Sequence, residues 1–233
     1  MEARELNEIK DVDDNSDGKE KRKIKRRGLT TRNVYERKPG KAVVSDDAVI
    51  SGVLGEDAEC GGLWLISGKE KNGKTSFALM LARSLAGNHR VVYISAEEGT
   101  EGSFRAAMRR AGITVSDRII WEEYMSPERI IEDYKGARTA DFIFIDNLTV
   151  YRSEIGQTDI LSIRKALPGK TIVYVSHEEG NQPSPESAVM VAKLAKIVFR
   201  VVAMNVIVTS RYTNGGGNIV IDADRKSLFW GEK

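Results

Sequence analysis

The chain is predicted to fold as an α/β protein, with a mostly parallel central sheet flanked by helices and closed by a C-terminal β-hairpin. Three observations carry this expectation. From Leu63 onward, apolar runs of strand length alternate with stretches of helical periodicity. The strand-like runs are apolar at nearly every position, which suits strands covered on both faces. Near the C-terminus the alternation gives way to short β-rich runs around a glycine-rich turn, as in antiparallel hairpins.

The elements follow in order. Strands are expected at 63–67, 91–95, 142–146 and 171–176, with a short extra strand at 119–121. Helices are expected at 74–86, 102–111 and 127–134, where apolar side chains recur at helical spacing. A further helix is expected from Ala188 to about Phe199. Closing strands then follow at 205–210, 218–222 and 227–230, with Asn214-Gly215-Gly216-Gly217 as a turn. No internal repeat is evident.

Composition sets the boundaries. With 233 residues, 41% of them hydrophobic, one domain can bury a sizeable core. The net charge of +2 comes from many charges of both signs and names no partner. A single cysteine, Cys60, cannot form an internal disulfide, and no Cys/His cluster points to zinc. No apolar run approaches the roughly 20 residues of a membrane helix. A soluble, cytoplasmic protein with no membrane partner is the expectation.

Residues 1–40 differ from the rest. Asp11, Asp13, Asp14 and Asp17 form an acidic cluster, and the run from Lys19 to Arg27 is almost wholly basic. Apolar residues are few, so burial cannot offset the entropy of ordering this stretch. It is expected to be a charged, disordered arm on a domain spanning 41–233. Its basic run suits nucleic acid or acidic protein surfaces, and it equally suits a solvated tail.

One motif carries the chemistry. Gly68-Lys69-Glu70-Lys71-Asn72-Gly73-Lys74-Thr75 satisfies the P-loop pattern GxxxxGK[ST]. It follows a predicted strand and opens a predicted helix, the context the motif requires. The glycines let the loop curl so that backbone N–H groups point at phosphate oxygens, and the helix adds the positive end of its dipole. Lys74 can reach the β- and γ-phosphates, the Thr75 hydroxyl can sit on Mg²⁺, and Ser76 can donate to the α-phosphate. Mg-ATP is the expected ligand.

Two further predicted strands end in carboxylates. Asp146 closes the strand 142–146, at the edge where ligands bind in such sheets. There it can hold a water on Mg²⁺, the Walker B role, or it can simply cap the following loop. Glu97 and Glu98 follow the strand 91–95, and either can orient and deprotonate an attacking water.

Over roughly residues 50–233 these features resemble the RecA-like ATPases, particularly the RadA, KaiC and DnaB branches. The resemblance rests on the P-loop, on Ser95-Ala96-Glu97-Glu98, on the strand ending in Asp146, on Val175-Ser176-His177, and on Thr209-Ser210-Arg211-Tyr212 before the glycine turn. It implies that Glu97 is the general base, with Glu98 a second candidate because KaiC-like members carry a glutamate pair there. It places His177 where the family keeps a polar residue that senses the γ-phosphate; a loop histidine with a structural hydrogen bond is the alternative. Arg211 resembles the arginine of the family's Lys-x-Arg element, which stabilises charge on a neighbouring subunit's nucleotide and so implies a ring or filament. A surface arginine in a hairpin is the alternative.

The chain also departs from that pattern. Thr209 stands where the element has lysine. The RadA zinc module and protease-like domain and the DnaB N-terminal domain have no counterpart in these residues. What remains resembles small phage or mobile-element recombination and replication ATPases.

In that family the loops after the Walker B strand and after the next strand line the path of single-stranded DNA. Here the first, 149–160, offers Tyr151 and Arg152, with Arg164 and Lys165 beyond it, an aromatic and cations suited to stacking and phosphate contact. The second, 178–186, has three acids and no basic residue. Three readings follow: a DNA-dependent recombination, repair or replication ATPase, a KaiC-like regulatory ATPase acting on protein partners, and a nucleotide-binding interaction protein with little turnover.

Overall fold

The computed structural model describes residues 28–230, the last three by backbone alone. Two compact units divide the chain, one up to Lys38 and the other from Pro39 onward. In the first, Thr30 caps a one-turn helix α1 (Thr31–Tyr35), and none of its residues is buried. This turn lies within the stretch expected to be a charged arm. The acidic cluster and the basic run lie outside the described residues.

The second unit is built on a nine-stranded sheet. In chain order it runs through α2 (Ala48–Leu54), β1 (Gly62–Gly68), α3 (Lys74–Ala86), β2 (Val91–Ser95), α4 (Gly102–Arg110), β3 (Ile119–Glu122), α5 (Pro127–Tyr134) and β4 (Phe142–Asp146). It continues through α6 (Gln157–Ala166), β5 (Thr171–Glu179), β6 (Gln182–Ser184), α7 (Glu186–Leu194), β7 (Ile197–Val202), β8 (Asn205–Ser210), β9 (Gly217–Val220) and α8 (Ala223–Trp230). The strand order is β3-β2-β4-β5-β1-β7-β8-β9, with β6 folded back on β5. From β3 to β7 all pairings are parallel, while β6, β8 and β9 pair antiparallel. The predicted α/β class with a mostly parallel sheet flanked by helices is the observed architecture.

The continuous apolar strands follow from the two-period of a pleat buried on both sides. Phe142 and Phe144 of β4 face the cluster that α3 and α4 cover, while Ile143 and Ile145 face the one under α5, α6 and α7. Trp64 and Ile66 against Leu63 and Leu65 repeat the division on β1. Edge-on ring contacts of Trp64 with Phe142 (5.4 Å) and Phe199 (5.9 Å) tie three strands together, each adding about 1 kcal/mol beyond the area buried.

At the sheet edge where the parallel strands begin, the segment leading to α2 is clamped. Asp141 accepts from Lys41 Nζ (2.8 Å), from the Arg90 backbone (2.9 Å) and from its guanidinium (3.3 Å). Burial would raise its carboxyl, but these donors hold it well below the usual carboxylate range. Its stabilisation is therefore present above about pH 4 and lost as acid protonates it. Nearby, buried Cys60 faces His89 Nδ1 (3.9 Å), and His89 Nε2 accepts from Val44 N (2.9 Å). Burial, aided by Asp141, pushes the Cys60 thiol up to about 11, so it is an inert packing group.

Four expectations need correction. The helix after Ala188 ends at Leu194, because Ala195 is extended and the β-branched run from Ile197 becomes β7 against β1. Residues 227–230 lie in α8, whose start Asp222 caps by accepting from Arg225 N (2.9 Å). The supposed loop 149–160 gives way at Gln157 to α6, and 178–186 is mostly the β5–β6 hairpin, with His177 opposite Ser184.

Candidate nucleotide site

The P-loop joins the tip of β1 to α3. Its glycines answer two demands. Gly73 adopts φ +102°, and a Cβ there would lie 2.5 Å from Met204 Sδ. A Cβ on Gly68 would lie 2.3 Å from the Val201 carbonyl. The loop therefore curls directly against the β7–β8 hairpin, whose turn residues Ala203 and Met204 have φ of 50° and 59°. The Asn72 side chain accepts from Ala203 N (2.6 Å) and donates to the Glu70 carbonyl (3.0 Å), so it braces the loop rather than presenting its amide to a ligand. Lys71 takes φ 61° at the curl. Lys69 contributes its carbonyl, which accepts from Lys74 Nζ at 3.0 Å.

A cleft of about 540 Å³ opens over this loop, lined by Glu70, Lys71, Gly73, Lys74, Thr75 and Ser76 on the floor. The strand order explains the rest. β5 lies between β1 and β4, and β2 lies beyond β4, so the tips of parallel neighbours bring His177, Asp146, Asn147, Glu97 and Glu98 to the same cleft.

Asp146 is only 5% exposed and accepts from the Tyr93 hydroxyl at 2.5 Å. Burial raises its carboxyl to about 6, helped by Glu97 and Glu98, while hydrogen bonds from Tyr93 and Thr75 oppose the rise. A carboxylate in this setting, touching the P-loop threonine and flanked by two acids, is suited to a divalent cation. Among the described residues no group of three His, Cys, Asp or Glu side chains is gathered to hold a metal alone. Thr75 and Asp146 are two oxygen donors that could hold part of the shell of a hard divalent cation such as Mg²⁺.

Asn147 organises the other carboxylate. Its amide donates one proton to Glu97 Oε2 and the other to His177 Nε2 (3.0 Å), while its carbonyl accepts from Thr149 N (2.8 Å). All three bonds agree on one amide orientation. Glu97 and His177 are thereby held together, with Glu97 Oε2 3.9 Å from the imidazole. Burial, then Lys74, lowers the His177 pKa, so the ring is neutral at pH 7 and accepts at Nε2. Lys74 is 7% exposed; burial lowers its pKa, against Asp146 and Glu97, which raise it.

The charge of Asp146 yields an expected result. Its native carboxyl, at about 6, holds a proton more tightly than in the unfolded chain, so ionisation costs stability as pH rises from about 4 through 6. At pH 7.5 without nucleotide, Asp146→Asn is expected to gain about 1–3 kcal/mol. This corresponds to a Tm rise of roughly 3–8 °C, shrinking toward pH 4. A lower Tm for the variant at pH 7.5 contradicts this account.

Other expected site residues lie elsewhere. Tyr151 is fully buried, its hydroxyl donating to the Met125 carbonyl at 2.9 Å. It stacks on Tyr124 within the protein and is not placed to stack on a base, a correction to the sequence reading. Arg152 donates to Glu179 (3.2 Å) and Ser184 (3.1 Å), an acid of the second loop cancelling the cation of the first. Arg164 and Lys165 are exposed on α6. Arg211 sits at the opposite end of the sheet from the cleft: Ser210 pairs with Ile197, which pairs with Trp64 near the start of β1. Its guanidinium donates to the Lys193 carbonyl (2.8 Å), so it does not serve its own chain's cleft.

Four contributors escaped the sequence reading. Asn147 had a signal, a polar residue at the tip of a buried strand. Tyr93 had one too, since a hydroxyl in an apolar strand needs a buried partner. Arg110 of α4 and Arg225 of α8 also line the cleft, and no local pattern marks them. Compared with models of protein families the chain matches none, and compared with the curated proteins it matches none.

Proposed function

We propose that the protein is a RecA-like ATPase that binds Mg-ATP at the P-loop and hydrolyses it between subunits of a ring or filament to act on DNA. The observation that carries the ATPase reading is the convergence in one cleft of Lys74, the Thr75–Asp146 pair, and Glu97 held by Asn147. Lys74 would leave the Lys69 carbonyl for the phosphates. In this reading Glu97, oriented by Asn147, takes a proton from a water attacking the γ-phosphate, with neutral His177 beside it. Mg²⁺, when bound, neutralises charge on the transferring phosphoryl group. Arg211 faces away from its own cleft, so its role in this reading is toward a neighbouring copy, and Thr209 supplies no second cation there.

For DNA, the support is the basic run from Lys19 to Arg27 together with Arg164 and Lys165. A second reading, an ATPase acting on protein partners, is favoured by the burial of Tyr151 and the pairing of Arg152 with Glu179. ATPase rates measured with and without single-stranded DNA at two salt concentrations separate the two. The DNA reading expects stimulation that weakens steeply with salt. Turnover indifferent to DNA favours the protein-partner reading, and saturable ATP binding without turnover leaves a nucleotide-binding interaction protein.

A further inference from the structure

The cleft has two flanks, and only one bears the hydrolytic groups. Glu97, Asp146, Asn147 and His177 stand on the tips of β2, β4 and β5, to one side of the P-loop strand. On the other side are β7, β8 and the C-terminal helix. That side is tied to the P-loop by a continuous path: Ala203 N donates to Asn72 Oδ1 (2.6 Å), Met204 N to the Asn72 carbonyl (3.2 Å), and Ile221 N to the Met204 carbonyl (2.9 Å). Asp222 then caps the turn that carries Arg225. A Cβ on Gly73 would meet Ile221 as well as Met204 (3.3 Å and 2.5 Å), so the root of α8 rests on the P-loop itself. From this root Arg225 enters the cleft.

We propose that Arg225 is a nucleotide-binding residue that the chain supplies to its own site, contacting the phosphates that ATP and ADP share. This deepens the nucleotide reading above and rests on it. The argument is one of position and charge. Arg225 approaches from the hairpin side, away from Glu97 and His177, so it addresses the α/β end of a nucleotide and not the γ-phosphate being transferred. A guanidinium is always charged and presents forked donors matched to phosphate oxygens. Glu70, Glu97, Glu98 and Asp146 face the same cleft as Lys71, Lys74 and Arg110, so without Arg225 the acids outnumber the cations where a polyphosphate would sit. Arg211 at the far end of the sheet cannot provide one in the same chain. The C-terminal helix is thus a wall of the nucleotide site, and the P-loop, through Asn72 and Met204, sets where its arginine stands.

The test is direct titration of Mg-ATP and Mg-ADP against the full chain and its Arg225→Ala, Arg225→Lys and Arg129→Ala variants, at low and moderate salt; Arg129 is an exposed residue of α5 paired with Asp133. Arg225→Ala is expected to raise the Kd of both nucleotides about tenfold and by similar factors. Arg225→Lys recovers part of the affinity at low salt, and Arg129→Ala, on α5 away from the cleft, leaves Kd unchanged. Unchanged affinities in Arg225→Ala overturn the inference alone, as does a loss confined to turnover. A wild-type chain that binds neither nucleotide overturns the nucleotide reading and this inference with it.

Discussion

Glu97→Gln is expected to bind Mg-ATP with near wild-type affinity and to lose ATP hydrolysis by a factor of about 10²–10⁴, the range for a positioned general base. Glutamine keeps the side-chain length and can still accept from Asn147, so the cleft retains its shape while the proton acceptor is gone. The structure sharpens the choice between the two adjacent glutamates. Both line the cleft, but Glu97 is the one that Asn147 fixes beside His177. Glu98→Gln is therefore expected to keep most of the wild-type turnover. Single-turnover hydrolysis and nucleotide titration of both variants decide it. If Glu98→Gln is the inactive one, the base assignment is wrong. If neither loses activity, the carboxylate flank of the cleft is not catalytic.

Lys74→Ala is expected to weaken Mg-ATP binding about a hundredfold or more, close to 3 kcal/mol. Lys74 is buried, with its ammonium on the Lys69 carbonyl and burial opposing its charge. A cation held this way gains when a polyphosphate replaces one neutral carbonyl, because charge-assisted hydrogen bonds are roughly twice as strong as neutral ones. Alanine removes that gain and leaves the loop's N–H groups in place. The fold is expected to survive, since α3 is held by Phe77, Ala78, Leu81 and Leu85 in the core. Equal affinities for wild type and variant, measured calorimetrically, sink the P-loop assignment.

The two variants fail differently, which gives them joint value. Loss of binding in Lys74→Ala with retained binding in Glu97→Gln places recognition and chemistry on opposite parts of one cleft. Asp146→Asn adds a third behaviour, greater stability of the empty protein. A buried carboxylate that costs stability is the kind of conflict expected where a site is kept for a ligand rather than for the fold.

Much of this was legible in the residues alone, for identifiable reasons. The strands β2 and β4 were read at their observed bounds because both faces are buried and apolar character is unbroken. Helices α3 and α5 were likewise read end to end, from apolar residues recurring at helical spacing. The P-loop motif was legible because it is local: eight consecutive residues, 68–75, carry the whole pattern. Sequence also placed Asp146 and Glu97 at strand tips, since a parallel α/β sheet puts its ligands there whatever the strand order.

What tertiary structure decided were the matters that depend on partners distant in the chain. The run from Ile197 was compatible with helix or strand until the free edge of β1 paired with it. Tyr151 looked like a stacking residue beside an arginine, yet the core claimed its ring and the Met125 carbonyl its hydroxyl. The tie between Asn147, Glu97 and His177 joins three strand tips, and Arg225 reaches the cleft over the P-loop from a helix some 150 residues further along the chain. Spacing along a sequence records contacts within a few residues. Contacts made by strand order and by packing across the sheet leave no such period, and only the assembled fold reveals them.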